Sequence, residues 1–254
     1  MPRYRKSDRA ENSRKMSVFS LFFPFVALIY AEAVLACFTG SGVTVYKVLP
    51  ALAAGCICMA FQNITFSKAL NFILQTLWLC LCLGLITAQF LCYRLTGEYF
   101  SPFSGELPQV SSLLSQAADE PLFVVCMALP LVLQLTVQLV GVIFRRDVLS
   151  TLLGAKILAF TGMLLLSVII SFAAVTFAMQ DDSGEDSPRR MLEYDYMPTR
   201  TVETFGALPQ AVIDFKYNVL HIRSEDVVHR YVLTESGEKV ELSGEEAEQW
   251  LEEG

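Results

Sequence analysis

Four long apolar runs dominate the chain, at residues 18–38, 69–93, 122–144 and 149–179. Each supplies the roughly 20 mainly apolar residues that a helix needs to cross a hydrocarbon core. A fifth run, 45–61, is shorter and carries Lys47 and Pro50 near its start. A lysine there can snorkel to the interface, and a proline suits a first helical turn. The pattern therefore predicts five transmembrane helices. Between the third and fourth runs, Gly97, Pro102, Gly105 and Pro108 break continuous structure. Val110, Leu113, Leu114 and Ala117 then follow at i, i+3, i+4, i+7 spacing, the pattern of a short helix lying in the interface. Tyr93, Tyr99, Phe100 and Phe103 beside it read as an aromatic belt.

After residue 179 the pattern changes. Asp181, Asp182, Glu185 and Asp186 mark residues 180–200 as an acidic linker too polar to fold alone. Within 201–254, Tyr231-Val232-Leu233 and Val240-Glu241-Leu242 flank a glycine-containing turn and read as a hairpin. Ser243 and Glu246 form a capping box, followed by Ala247, Trp250 and Leu251 on one face of a terminal helix. The expected fold is an all-α membrane protein: a leader (1–17), a transmembrane domain of five helices plus an interfacial helix (18–179), the linker, and a small α+β or disordered tail.

Composition agrees, with 54% hydrophobic residues and 18% charged. The formal charge of −7 hides a strong asymmetry. Arg3, Arg5, Lys6, Arg9, Arg14 and Lys15 crowd the leader, whereas from Met179 onward 18 Asp and Glu face 7 Lys and Arg, a net of −11. An acidic tail excludes nucleic acid as its partner. Lysine and arginine are retained on the cytoplasmic side. That rule places the leader, Lys68, Arg145, Arg146 and Lys156 inside, and leaves Lys47 and Arg94 in the outer loops. The expectation is a multi-pass cell-membrane protein with a cytoplasmic N-terminus and an extracytoplasmic C-terminus. The first run is too long for the apolar region of a signal peptide and leads straight into further spans, so it reads as an uncleaved anchor. The seven cysteines lie in or beside the apolar runs and read as reduced, packing or lipid-facing thiols. In the pairs Cys56/Cys58 and Cys80/Cys82 the two sulfurs point to different helix faces, which disfavours a metal site.

Glu32 is the one acid inside a predicted span, and an intramembrane ionisable group is a functional candidate by default. The competing reading is a carboxylate bonded to a neighbouring helix or snorkelling outward, and Arg94 stands at a similar height as a candidate partner. Asn71 and Gln75 share one helix face, as do Gln134 and Gln138, and such amides either bond helix to helix or line a polar cavity. Ala51 and Gly55 form a small-x-x-x-small pair that admits close helix approach. His221 and His229, with Asp214, Glu225 and Asp226 in the same tail, read as solvated residues. No phosphate-binding loop, nucleophile elbow, zinc-protease or dinucleotide motif is present, so no catalytic residue, cofactor or metal ligand is expected.

Several stretches resemble, in order and spacing, the N-terminal membrane domain of bacterial lipoteichoic acid synthase and its sulfatase-like relatives. They are Leu28-Ile29-Tyr30-Ala31-Glu32-Ala33-Val34 leading to Phe38-Thr39-Gly40, then Gln89-Phe90-Leu91-Cys92-Tyr93-Arg94-Leu95-Thr96-Gly97-Glu98-Tyr99-Phe100-Ser101, and finally Phe205-Gly206-Ala207-Leu208 with Asp214 and Tyr217-Asn218-Val219-Leu220. The resemblance implies five helices placed before an extracytoplasmic phosphatase-type domain that transfers glycerol phosphate from phosphatidylglycerol. No position here matches that domain's threonine nucleophile or metal ligands. The expectation is a non-catalytic module that anchors or docks membrane lipid, a separate extracytoplasmic catalytic protein or a second copy of itself. Glu32, Tyr93, Arg94, Gly97, Gln134 and Gln138 are its candidate functional positions. The alternatives are a small transporter or lipid-translocating protein, and a truncated non-functional paralogue. The resemblance further implies that the helix at 110–117 and the segment 205–220 pack near each other at the outer surface.

Overall fold

A computed structural model describes residues 6–64, 67–103, 109–143, 156–181, 187–193, 197–220, 230–233 and 239–242. Its long helices are α1 (Lys6–Thr39), α2 (Val45–Phe61), α3 (Lys68–Thr96), α5 (Pro121–Ile143) and α6 (Lys156–Gln180). The short ones are α4 (Val110–Asp119), α7 (Pro188–Glu193), α8 (Pro198–Phe205) and α9 (Ala207–Asn218). Strands β1 (Arg230–Leu233) and β2 (Lys239–Leu242) pair antiparallel, with Val232 opposite Val240. The capping box at Ser243 and both histidines lie outside the described residues.

Four helices have stretches long and apolar enough to cross a membrane: Phe22–Thr39, Ala69–Thr96, Pro121–Leu139 and Ile157–Gln180. The chain is a multi-pass membrane protein. α2 is apolar but has only 17 residues, a length of about 25 Å against a hydrocarbon core of about 30 Å. It packs between α1 and α6 and also touches α3. Small side chains make that position accessible. At Gly55 an added Cβ would lie 2.6 Å from Cδ1 of Phe25 and 3.2 Å from its Cα, so only glycine lets α1 come this close. α2 is also bonded to its neighbours through its own backbone: Trp78 Nε1 donates to the Ala54 carbonyl at 3.1 Å, and Ser167 Oγ to that of Ala53 at 2.9 Å.

The apolar core runs along α1 (Leu28, Ala31, Leu35), α3 (Leu79, Leu83, Ile86, Phe90) and α5 (Phe123, Met127). Phe90 stacks on Phe123 at 3.7 Å between centroids, and Phe38 meets both edge-on. α6 instead leaves most of its apolar surface exposed, as at Ile157, Leu158 and Phe172. All seven cysteines are free thiols.

Three expectations are corrected. Pro50 lies inside α2 and not in its first turn, so its missing N–H removes a rung of the helix ladder. Lys47 does not snorkel: it is only 2% exposed, and its Nζ donates to Ser41 Oγ at 2.7 Å and to the Gly42 carbonyl at 2.8 Å. A helix, α7, stands within the stretch read as linker, and Asp181 at its edge accepts a bond from the Tyr46 hydroxyl at 2.8 Å. The helix expected at 110–117 is α4. It packs on α3 and α5 through Leu113 and Ala117, while α8 and α9 pack on α2, with α9 also on α3.

Gly55→Ala should destabilise the bundle by about 1–3 kcal/mol through overpacking against Phe25. At Gly84 nothing lies within 4 Å of an added Cβ, so Gly84→Ala should leave stability unchanged or slightly raised. Denaturation of both variants in detergent checks the contrast.

Candidate functional site

One group of buried polar residues, Glu32, Lys47, Gln89, Gln210 and Asp214 among them, gathers at the end of the bundle where α1 stops and α2 starts. Glu32, on the face of α1 that carries Leu28 and Leu35, is 2% exposed. Its carboxylate meets the N-terminus of α9, accepting the N–H of Ala207 at 3.3 Å and of Leu208 at 3.1 Å. The first turn of α9 is thereby fully satisfied. Pro209 has no N–H to offer, and the N–H of Gln210 reaches the Gly206 carbonyl at 3.3 Å. The partial positive charge of a helix N-terminus also favours a carboxylate at this point.

Gly206 is required here on two counts. Its φ of +92° and ψ of 174° fall in a region essentially restricted to glycine. A Cβ there would also sit 2.6 Å from Glu32 Oε2.

A second set of bonds ties the rest of α9 to α3 and the loop after it. Gln89 Nε2 donates to Gln210 Oε1 at 2.8 Å and to the Phe100 carbonyl at 2.9 Å. Asp214, fully buried, accepts from the Ser101 hydroxyl and from the Phe103 N–H at 2.7 Å. Asn218 Nδ2 bonds both Ser101 and Asp214. α8 is held by Thr44 Oγ1, which donates to the Thr204 carbonyl at 3.1 Å, and by the Tyr99 N–H, which reaches Thr199 Oγ1 at 3.4 Å. Burial pushes the Tyr99 phenol up to about 12, so it stays neutral at this junction.

The expected site residues separate. Tyr93 and Gly97 lie at the junction: Tyr93 stacks on Tyr99 at 4.7 Å, and Gly97 ends α3 in the left-handed conformation at φ +80°. Arg94 is not the partner of Glu32. It forms an exposed ion pair with Glu120, Nε to Oε1 at 2.6 Å, because the end of α3 brings it beside the start of α5. Gln134 is buried between α5 and α3, its Nε2 3.3 Å from Thr76 Oγ1, and Gln138 is half-buried further along α5. Both are remote in sequence from the junction and join no bond within it.

Asp214, read from the sequence as a solvated tail residue, is instead fully buried because Ser101 and the Phe103 N–H bond its carboxylate, and Gln89, Lys47 and Gln210 join the site without being expected in it. The usable signal was an amide within an apolar run at Gln89 and the i, i+4 polar pair at Gln210 and Asp214. The arrangement offers hydrogen-bond closure of one segment onto another, with no nucleophile and base aligned among these residues.

Glu32→Ala and Gly206→Ala should each release the α9 N-terminus. Exchange of the Ala207 and Leu208 amide hydrogens, which only Glu32 protects, should accelerate about tenfold to a hundredfold, the worth of one or two charge-assisted bonds. Arg94→Ala, which removes an exposed pair worth at most about 1 kcal/mol, should leave that exchange unchanged. Comparison of the chain with protein-family models, with curated proteins and with solved structures finds no match.

Proposed function

We propose that the chain is a five-span, non-catalytic membrane mount, resembling the membrane part of a lipoteichoic acid synthase, that holds α8 and α9 ready at its extracytoplasmic end for a lipid head group or a partner protein. One observation carries the reading. The three stretches that bear the resemblance, around Glu32, from Gln89 to Ser101 and from Phe205 to Leu220, are remote in sequence yet meet in one hydrogen-bonded junction. Their meeting gives the resemblance a common structural location and is what supports this reading.

The parity of the helices supports the topology. The Tyr46–Asp181 and Thr44–Thr204 bonds put the start of α2, the end of α6 and α8 at the same end as Thr39. That arrangement follows if α2 crosses the membrane despite its length, which makes five crossings and sets the tail opposite the basic leader. A transporter draws some support from the buried carbonyl oxygens of Gln75 and Gln134, which have no hydrogen-bond partner. It is the weaker reading, because the carboxylate of Glu32 is taken up by α9 and does not face a path.

Purified protein in phosphatidylglycerol vesicles should leave the head group intact, and release or transfer of glycerol phosphate by the chain alone would overturn the proposal. For the topology, alkaline phosphatase fused to the C-terminus should be active in cells. An inactive fusion with a fluorescent C-terminal green protein fusion would reverse the orientation.

A further inference from the structure

α9 carries more apolar surface than a helix in water needs, with apolar side chains on both of its faces. Its polar side chains turn inward: Gln210 and Asp214 are 0% exposed and bonded to α3 and the loop after it. Ala207, Ile213 and Tyr217 are buried on the same inner side, yet a second apolar set faces outward: Val212 is 70% exposed, Phe215 40% and Val219, just past the helix end, 44%. These recur at i, i+3 and i+7, one continuous stripe. The one basic residue of its last turn, Lys216, folds its Nζ back onto the Leu192 carbonyl at 3.0 Å, away from that stripe. Phe103 adds a half-exposed ring against Phe215, edge-on at 5.3 Å.

The depth of attachment says what covers the stripe. Glu32 lies seven residues before the end of α1, and Gln89 seven before the end of α3. At 1.5 Å per residue both anchors sit about 10 Å below the helix ends. Both anchors hold the first turn of α9, through Ala207, Leu208 and Gln210, so this end of the helix is sunk among the spans and does not rest on top of them. At the same end of the bundle the spans also expose apolar side chains, Val45 at the start of α2, Leu95 at the end of α3, and Leu122 and Val125 at the start of α5.

We propose that α9 is immersed in the lipid leaflet at this end of the bundle, with Val212, Phe215 and Val219 against acyl chains and its polar face sealed onto α1, α3 and the 99–103 loop. The inference rests on the membrane reading above and adds to it a lipid-contacting helix outside the spans. Irregular backbone at membrane depth is tolerated where its polar groups are satisfied by protein, and Gly206 with its neighbours meets that condition through Glu32.

The test uses single-tryptophan proteins. With Trp78 and Trp250 changed to Phe, Val212→Trp, Phe215→Trp and, as a mid-span control, Leu81→Trp are each reconstituted in vesicles of brominated phosphatidylcholine. Leu81 is 66% exposed on α3, so its replacement reports whether the bundle is in lipid at all. V212W and F215W should lose fluorescence to the brominated lipid as L81W does, more strongly when the bromines lie near the head group than near the chain end. Neither should respond to aqueous acrylamide. Quenching of both by acrylamide while L81W responds to lipid would overturn the proposal and leave the membrane reading intact. Shielding from both quenchers would also overturn it, in favour of a second copy of the chain. Failure of L81W to respond to lipid would remove the membrane reading as well.

Discussion

A carboxylate placed inside an apolar bundle costs several kcal/mol unless bonds from fixed donors replace its water. Glu32 meets two such donors, and both belong to a helix some 175 residues away in the chain. The dependence is mutual. An isolated helix of 12 residues is marginal in water, and α9 begins on a glycine that brings no side chain to cap its first turn. The acid needs the helix end to be tolerable, and the helix needs the acid to begin where it does. Gly206 makes the meeting sterically feasible, and Gln89 and Asp214 then set the direction in which α9 leaves it.

The same logic of close approach organises the bundle. Between helices in lipid there is no hydrophobic force to spend, so contact relies on small residues and on hydrogen bonds between side chain and backbone. α2 has both: Gly55 under Phe25, and carbonyls of Ala53 and Ala54 that accept bonds from α6 and α3. Being held from three sides lets a helix shorter than its neighbours keep its place, and puts its first residues, Thr44, Tyr46 and Lys47, where the tail returns.

The four long spans, and α4 with its Val110-Leu113-Leu114-Ala117 spacing, were legible because composition over 20 residues or a strict helical period is local information. What was misread depended on distance. Lys47 looked like a snorkelling lysine because nothing in its own segment reveals that the turn at Ser41 and Gly42 folds back over it. Arg94 looked like a partner for Glu32 by height alone, whereas the azimuth of α3 turns it toward Glu120. Helices α7 to α9 are not legible because their neighbourhood is acidic and because α9 has apolar residues on both faces with Gln210 and Asp214 on the buried one, which blurs the amphipathic pattern.

The apolar outer face of α9 follows from the anchor. Once the start of α9 is tied to Glu32, about 10 Å below the ends of the spans, the surface it turns outward has left bulk water. Apolar residues are then the cheaper choice outside, and polar ones are affordable only where protein can bond them. Gln210 and Asp214 find those bonds on Gln89, Ser101 and the backbone of Phe103. Replacing Glu32 by a neutral apolar residue therefore removes more than a cap. It leaves the first turn of α9 unsatisfied at a depth where water cannot substitute, and the cheapest relief is for the whole segment to rise toward the surface, which would carry its apolar stripe out of lipid. Docking and immersion of α9 are in this sense one equilibrium, set by a single carboxylate.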